Sequence, residues 1–270
     1  MKTFYVIGNP INHSLSPKLF NYIFNFYKIN AEYELFNAQS IQEFEDFINN
    51  NDGINGFNIT LPFKKVAFTN LESIDTSIVD TKSINCIDVK EGSLKGYNTD
   101  KYGFFKMIEK ININFNDYDI LILGNGGAAS TVLSVLLEYC NSNIYIWGRN
   151  NHKVEKFIND ASCSDNSRLS LYKKNIKESC IVINCTSWNI GKRDTKTILS
   201  YLPINNIKYF IDINYFDTML TKELKSQNIK VRLGVDMFIY QAIKTFDIWF
   251  ENKYSDDSLY DRLKKVLKNE

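Results

Sequence analysis

The chain has almost no histidine: His13 and His152 are the only two in 270 residues. Its five cysteines, Cys86, Cys140, Cys163, Cys180 and Cys185, are odd in number and scattered, with no CxxC pair. That composition excludes a zinc site built on His and Cys and argues against a disulfide framework. No metal is expected, and reduced thiols point to a cytoplasmic protein. Charge of one sign is also missing. Lys and Arg number 32 against 31 Asp and Glu, for a net charge of +1. No global field draws the chain to nucleic acid or to an anionic membrane, so any anion site must be local. Long hydrophobic runs are absent too. The apolar stretch Phe4 to Ile7 is too short for a signal-peptide core and stops at Gly8. No run approaches the ~18 apolar residues of a membrane span.

What is present alternates. Short apolar runs are followed by amphipathic stretches, the signature of an α/β fold, and the length suits two domains. In the first part, Thr3–Ile7, Tyr33–Phe36, Ile54–Asn58, Ile84–Val89 and Leu94–Tyr97 read as strands. Pro17–Tyr27 reads as a helix with Pro17 in its first turn and Ser16 placed to cap it, and Gln42–Asn50 as another. A second pattern starts near residue 119. Its strands are Asp119–Leu123, Asn143–Trp147, Cys180–Asn184, Tyr209–Ile213 and Val231–Leu233, with helices between them, including Ala128–Cys140. That alternation implies a doubly wound parallel sheet. The chain ends in helices, Met237–Trp249 and Ser258–Leu267. The aromatics Phe238, Tyr240, Phe246, Trp249 and Phe250 fall at helical spacing and are expected in a core. The expected division is a first domain over 1–100, completed by helices from 236–270, and a second over 101–235.

The stretch DILILGNGGAAS places Gly124, Asn125, Gly126, Gly127, Ala128 and Ala129 between a predicted strand and a predicted helix. A glycine triad also serves as an ordinary turn, and its position is what favours a dinucleotide site. Gly124 permits the tight turn, Gly126 lets backbone approach a pyrophosphate, and Ala129 is small enough for helix–strand contact. The helix N-terminus supplies free N–H groups. NAD enzymes usually carry Asp or Glu at the end of the second strand. This strand ends instead in Gly148, Arg149 and Asn150, with Lys153 one turn on. A cation there suits a 2′-phosphate and favours NADP; a solvated surface arginine is the alternative.

Four segments of the first part are dense in polar residues: GNPINHSLSPKLFN (8–21), GFNITLPFK (56–64), SIN (83–85) and GYNTDKYG (96–103). Each is expected at the end of a strand, where open α/β sheets collect ligands. Their hydroxyls, amides, one Lys and one Asp suit a polyol bearing a carboxylate, with Ser14 and Ser16 as carboxylate donors.

Taken in order, these motifs resemble the shikimate dehydrogenase family along nearly the whole chain. The resemblance implies that Ser14 and Ser16 hold the substrate carboxylate, that Thr60 contacts substrate, and that Lys64 is catalytic. Asn85 and Asp100 match substrate-ring contacts. LGNGGAAS and GRN match the glycine loop and adenosine-phosphate segment, and NCTSWNIG the nicotinamide-side loop with Thr186. IDINY brings Tyr215, and GVDMFIYQA brings Gly234, Met237 and Gln241, the last reaching substrate from the C-terminal helix. The implied chemistry is reversible NADP-dependent reduction of 3-dehydroshikimate, with Lys64 moving the proton and Asp100 orienting it. The chain departs from the family pattern at Cys86, at Ala129–Ser130 and after Tyr215. Shikimate against quinate stays open, as does monomer against homodimer. A ligand sensor and another two-domain NADP enzyme are the competing classes. His13 is expected to be structural.

Overall fold

The computed structural model describes residues 1–50, 52–71, 73–161, 167–186, 195–254 and 256–268. Cys163, and the NCTSWNIG loop beyond Thr186, lie outside them. The chain divides into two compact units, Met1–Phe104 with Ile239–Glu270, and Phe105–Phe238.

The first unit runs β1 (Lys2–Gly8), α1 (Ser16–Phe26), β2 (Ala31–Asn37), α2 (Ile41–Asn49), β3 (Ile54–Ile59), α3 (Lys64–Asn70), β4 (Ser73–Ile74), β5 (Cys86–Lys90), β6 (Ser93–Tyr97) and α4 (Thr99–Ile111). Its six-stranded sheet has the order β2-β1-β3-β5-β6-β4. β1 is parallel to β2 and β3, whereas β5 runs antiparallel to β3 and β6. The pleat sends alternate side chains to opposite faces. Ile7, Phe57, Ile59 and Ile87 join Phe44 of α2 and Ala67 of α3 in one core. On the other face Phe4 stacks on Trp249 at 4.4 Å, and Phe20 of α1 lies 5.2 Å from the same indole.

The second unit continues with β7 (Asp119–Leu123), α5 (Gly127–Tyr139), β8 (Ile144–Trp147), α6 (Asn151–Asp160), β9 (Leu169–Leu171), β10 (Cys180–Asn184), α7 (Thr195–Leu199), β11 (Ile207–Asp212), α8 (Met219–Ser226) and β12 (Lys230–Leu233). Every pairing in its sheet, ordered β12-β11-β10-β7-β8-β9, is parallel. This is the doubly wound order, with the chain reversing direction across the sheet between β7 and β10. All five residues of β10 are buried, as a strand covered by helices on both faces requires.

Helix α9 (Val235–Trp249) leaves the second unit, and α10 (Leu259–Lys268) follows. The later part of α9 and all of α10 belong to the first unit, which is the return expected from the terminal helices. Phe246, Trp249 and Phe250 are buried and pack as core, whereas Phe238 and Tyr240 are only half-buried. Trp249 Nε1 donates to the Ile87 carbonyl at 3.0 Å. The indole reaches that oxygen only because Gly56 beneath it has no side chain: a Cβ there would stand 2.4 Å from Nε1. Gly56→Ala should therefore lower unfolding stability by about 1–3 kcal/mol through overpacking, read as a shifted urea midpoint with a changed Trp249 emission.

Candidate active site

The polar segments of the first unit meet because of strand direction. Residues 8–21, 60–64 and 98–103 follow the parallel strands β1, β3 and β6. Ser83–Asn85 precedes β5 rather than following a strand, which corrects the expectation. β5 is antiparallel, so its start lies at the edge where its neighbours end. Gly8 lies against Thr60, whose Cγ2 would be 2.5 Å from a Cβ on the glycine. The Asn9 N–H donates to the Leu61 carbonyl at 2.9 Å.

Lys64 is the first residue of α3, and Asp100 lies in the first turn of α4. Lys64 Nζ donates to Asp100 Oδ2 in a close ion pair. The two side chains are only 15% and 12% exposed, so the pair is largely shielded from water yet reachable. Asn85 locks the residue before Asp100. It accepts the Thr99 N–H at 2.7 Å and donates to Thr99 Oγ1 at 2.9 Å.

Behind these groups lies a buried polar cluster. Asn58 Nδ2 donates to the Asn85 carbonyl at 3.0 Å and to Thr245 Oγ1 at 3.4 Å. Asn58 Oδ1 accepts the Tyr33 hydroxyl at 2.8 Å. The Thr99 and Thr245 hydroxyls meet at 3.0 Å. Tyr33 is fully enclosed, and burial raises its phenol well above the ordinary value. Burial likewise pushes up the Cys86 thiol, against a hydrogen bond from Thr245 that lowers it. Cys86 is thus an inert core thiol.

Ser16 is not a helix cap. Leu15 holds the N-cap position of α1, and no side chain caps it. The buried Ser16 hydroxyl instead bonds to Tyr33, and the Ser16 N–H donates to Ser14 Oγ at 3.3 Å. A tertiary partner has displaced the local one. Gln241 is buried in α9, one turn before Thr245 on the same face. Ser16, Lys64, Asn85 and Asp100 are thus tied to one cluster, Thr60 lies beside it, and His13 is exposed.

In the second unit, Gly124 has φ +113°, a left-handed conformation that glycine alone tolerates easily. A Cβ there would stand 3.2 Å from the Cys185 carbonyl and from Thr186 Cγ2, so the loops after β7 and β10 touch at the switch point. Helix α5 begins at Gly127 with Gly126 at its N-cap. Nothing lies within 4 Å of where a Gly126 Cβ would be. The helix N-terminus therefore faces open space, as a pyrophosphate requires. Ala129 is fully buried; Asn125 and Ala128 complete the loop.

Asn125 Oδ1 lies 3.4 Å from a Gly148 Cβ position, beside the next strand end. Arg149, Asn150 and Lys153 are exposed, and Asn150 caps α6 by accepting the Lys153 N–H at 3.1 Å. Two cations thus stand on one helix start. Tyr215 stacks on Phe238 at 4.3 Å. Gly234 donates its N–H to the Asn214 carbonyl at 2.8 Å, and Met237 is buried in the first turn of α9.

A family model for the shikimate dehydrogenase substrate binding domain matches residues 6–87, and one for shikimate / quinate 5-dehydrogenase matches residues 106–215. The chain is 37% identical over 252 residues to the shikimate dehydrogenase (NADP(+)) of Pelagibacter ubique, covering 92% of this chain and 93% of that one. It is 32% identical over 276 residues to that of Clostridium beijerinckii, covering 100% and 99%. Shikimate dehydrogenase 1 of Peptoclostridium difficile superposes with a TM-score of 0.83 at 26% identity, covering 100% and 99% of the two chains.

The chain belongs to the shikimate dehydrogenase family.

Within this member of the shikimate dehydrogenase family, the residues that sequence reasoning missed are those holding the motifs in place. Asn58 sits inside a quoted motif, a polar residue in an otherwise apolar strand end. Thr99 flanks Asp100, and Thr245 lies one turn beyond Gln241. A polar residue at a strand position facing the core was the available signal. Asn58→Ala would leave the Tyr33 hydroxyl and the Asn85 carbonyl short of partners. It should cost about 1–3 kcal/mol, measured by denaturant unfolding of the purified protein.

Proposed function

We propose that the chain catalyses the reversible NADP(H)-dependent reduction of 3-dehydroshikimate to shikimate, a step of chorismate and aromatic amino acid biosynthesis. The Lys64–Asp100 pair beside the Asn85–Thr99 lock carries this reading. Residues 1–100, with the helices of 236–270, hold the substrate, and residues 101–235 hold NADP. Ser14 and Ser16 take the substrate carboxylate. Thr60, Asn85, Asp100, Tyr215 and Gln241 take the ring and its hydroxyls.

NADP, when bound, supplies the hydride acceptor and, reduced, the hydride donor. The protein positions the ring and moves one proton. In the reducing direction the Lys64 ammonium donates a proton to the carbonyl oxygen; in the oxidising direction its neutral amine receives the hydroxyl proton. Asp100 Oδ2 holds Lys64, which leaves Oδ1 for a substrate hydroxyl. The residues of the glycine loop suit the cofactor: Gly124, Asn125, Gly126, Gly127, Ala128 and Ala129 give the pyrophosphate an open helix N-terminus. Arg149, Asn150 and Lys153 receive the 2′-phosphate. Thr186, Gly234 and Met237 line the nicotinamide end.

The buried thiols of Cys86, Cys140 and Cys180 suit a reducing cytoplasm. No helix among the described residues is long and apolar enough to cross a membrane. The oligomeric state that goes with this reading is a monomer or a homodimer.

Spectrophotometric NADPH formation with shikimate, with quinate and with no substrate tests the reading; turnover is expected with shikimate, and none with any substrate would defeat it. Lys64→Ala should lower kcat by about 10²-fold or more, and a loss under about tenfold would remove Lys64 from the proton step. Arg149→Ala should reduce the preference for NADP over NAD by about tenfold, the scale of one charged hydrogen bond. Equal use of both cofactors by the parent would overturn the Arg149 assignment.

A further inference from the structure

Asp212 ends β11 and has no exposed surface. A buried carboxylate survives only if its oxygens are bonded, and these are. Oδ1 accepts from the Asn214 backbone N–H at 3.0 Å and from Asn214 Nδ2 at 2.8 Å. Oδ2 accepts from Asn184 Nδ2 at 3.1 Å. Asn184, fully buried at the end of β10, then turns its oxygen to Thr186, accepting the Thr186 N–H at 3.1 Å and the Thr186 hydroxyl at 2.7 Å. On the other side the Asn214 carbonyl accepts the Gly234 N–H at 2.8 Å. A Cβ on Gly234 would stand 2.1 Å from the Ile213 carbonyl, so that junction has one arrangement.

We infer that Asp212 is a positioning residue that sets the hydrogen-bonding polarity of Thr186, making its hydroxyl an acceptor for the carboxamide N–H of the bound nicotinamide. The inference rests on the functional reading above. A carboxylate can only accept, so Asn184 must point its NH2 at Asp212 and its oxygen at Thr186. That oxygen takes the one hydroxyl proton of Thr186. A hydroxyl whose proton is so committed can offer a ligand only a lone pair. A neutral residue at 212 would let the Asn184 amide turn over, and the Thr186 proton would then face the ligand. Through Asn214 the same carboxylate fixes Gly234, so Thr186 and Gly234 answer to one buried charge.

The test uses whole enzyme with NADP and with its 3-acetylpyridine analogue, which lacks the carboxamide NH2. The kcat/KM ratio between the two cofactors is compared across variants, so the analogue's own reactivity cancels. Asp212→Asn should reduce the parent's ratio by about tenfold, one buried hydrogen bond's worth, while affinity for 2′,5′-ADP, which probes the Arg149 end alone, stays at the parent value. The exchange Asn184→Asp with Asp212→Asn restores every bond of the chain and should recover the ratio. An unchanged ratio in folded Asp212→Asn, or no recovery in the exchange variant, overturns the inference. Should Asp212→Asn not fold, Thr186→Val decides: it removes only the hydroxyl, and a parent-like ratio overturns the inference equally. Failure of the parent to reduce NADP with shikimate would instead sink the functional reading, before any variant is made.

Discussion

The first unit depends on a single constraint: the amide of Asn58, buried between a sheet and a helix, must have every bond satisfied. Its oxygen holds Tyr33, and its nitrogen holds Asn85 and Thr245. An unpaired amide in that position costs more than most single contacts gain. β1 to β3, the loop before β5, the start of α4 and the middle of α9 are therefore fixed relative to one another. Lys64 and Asp100 are held by that frame. The ion pair is formed by two helix starts, and each start is placed by a backbone or side-chain bond to the cluster: Ile84 N–H to the Lys64 carbonyl, Thr99 N–H to Asn85.

The second unit solves a similar problem with charge. Where the first places an amide at the meeting of elements, the second places a carboxylate, Asp212, flanked by Asn184 and Asn214. An amide can turn over and exchange donor for acceptor, and a carboxylate cannot. A buried group of fixed polarity imposes its own polarity outward on Thr186. The glycine loop depends on a different property, the absence of atoms. Gly124 lets the loops after β7 and β10 meet, Gly126 leaves backbone exposed, and the open helix N-terminus is what remains.

Much of this was legible in the sequence. Alternation of apolar runs and amphipathic stretches gave every described strand but the short β4 and β9, and the parallel second sheet follows from helices separating them. The candidate substrate segments stood out because polar groups beside Gly and Pro recur along the first part of the chain. Three things were not legible, for physical reasons. The direction of β5 depends on sheet pairing, so the SIN segment was placed after a strand although it precedes one. Ser16 was assigned by local capping chemistry, yet its partner Tyr33 is brought there by the packing of α1 on β2. The Asn58 cluster escaped for the same reason. Its partner Thr245 lies 187 residues away, and no local pattern spans that distance.

The first unit is built from both ends of the chain, with the whole of Phe105–Phe238 made between them. On the ribosome, the segment that carries Lys64 and Asp100 emerges long before Thr245 and Trp249. Until α9 arrives, Asn58 Nδ2 lacks the Thr245 hydroxyl and the Phe4 face of the sheet has no indole to cover it. The second unit has all its described strands by then. Synthesis therefore delivers a second unit with all its strands beside a first unit still missing a helix, and the frame around Lys64 and Asp100 is complete only once α9 has left the exit tunnel.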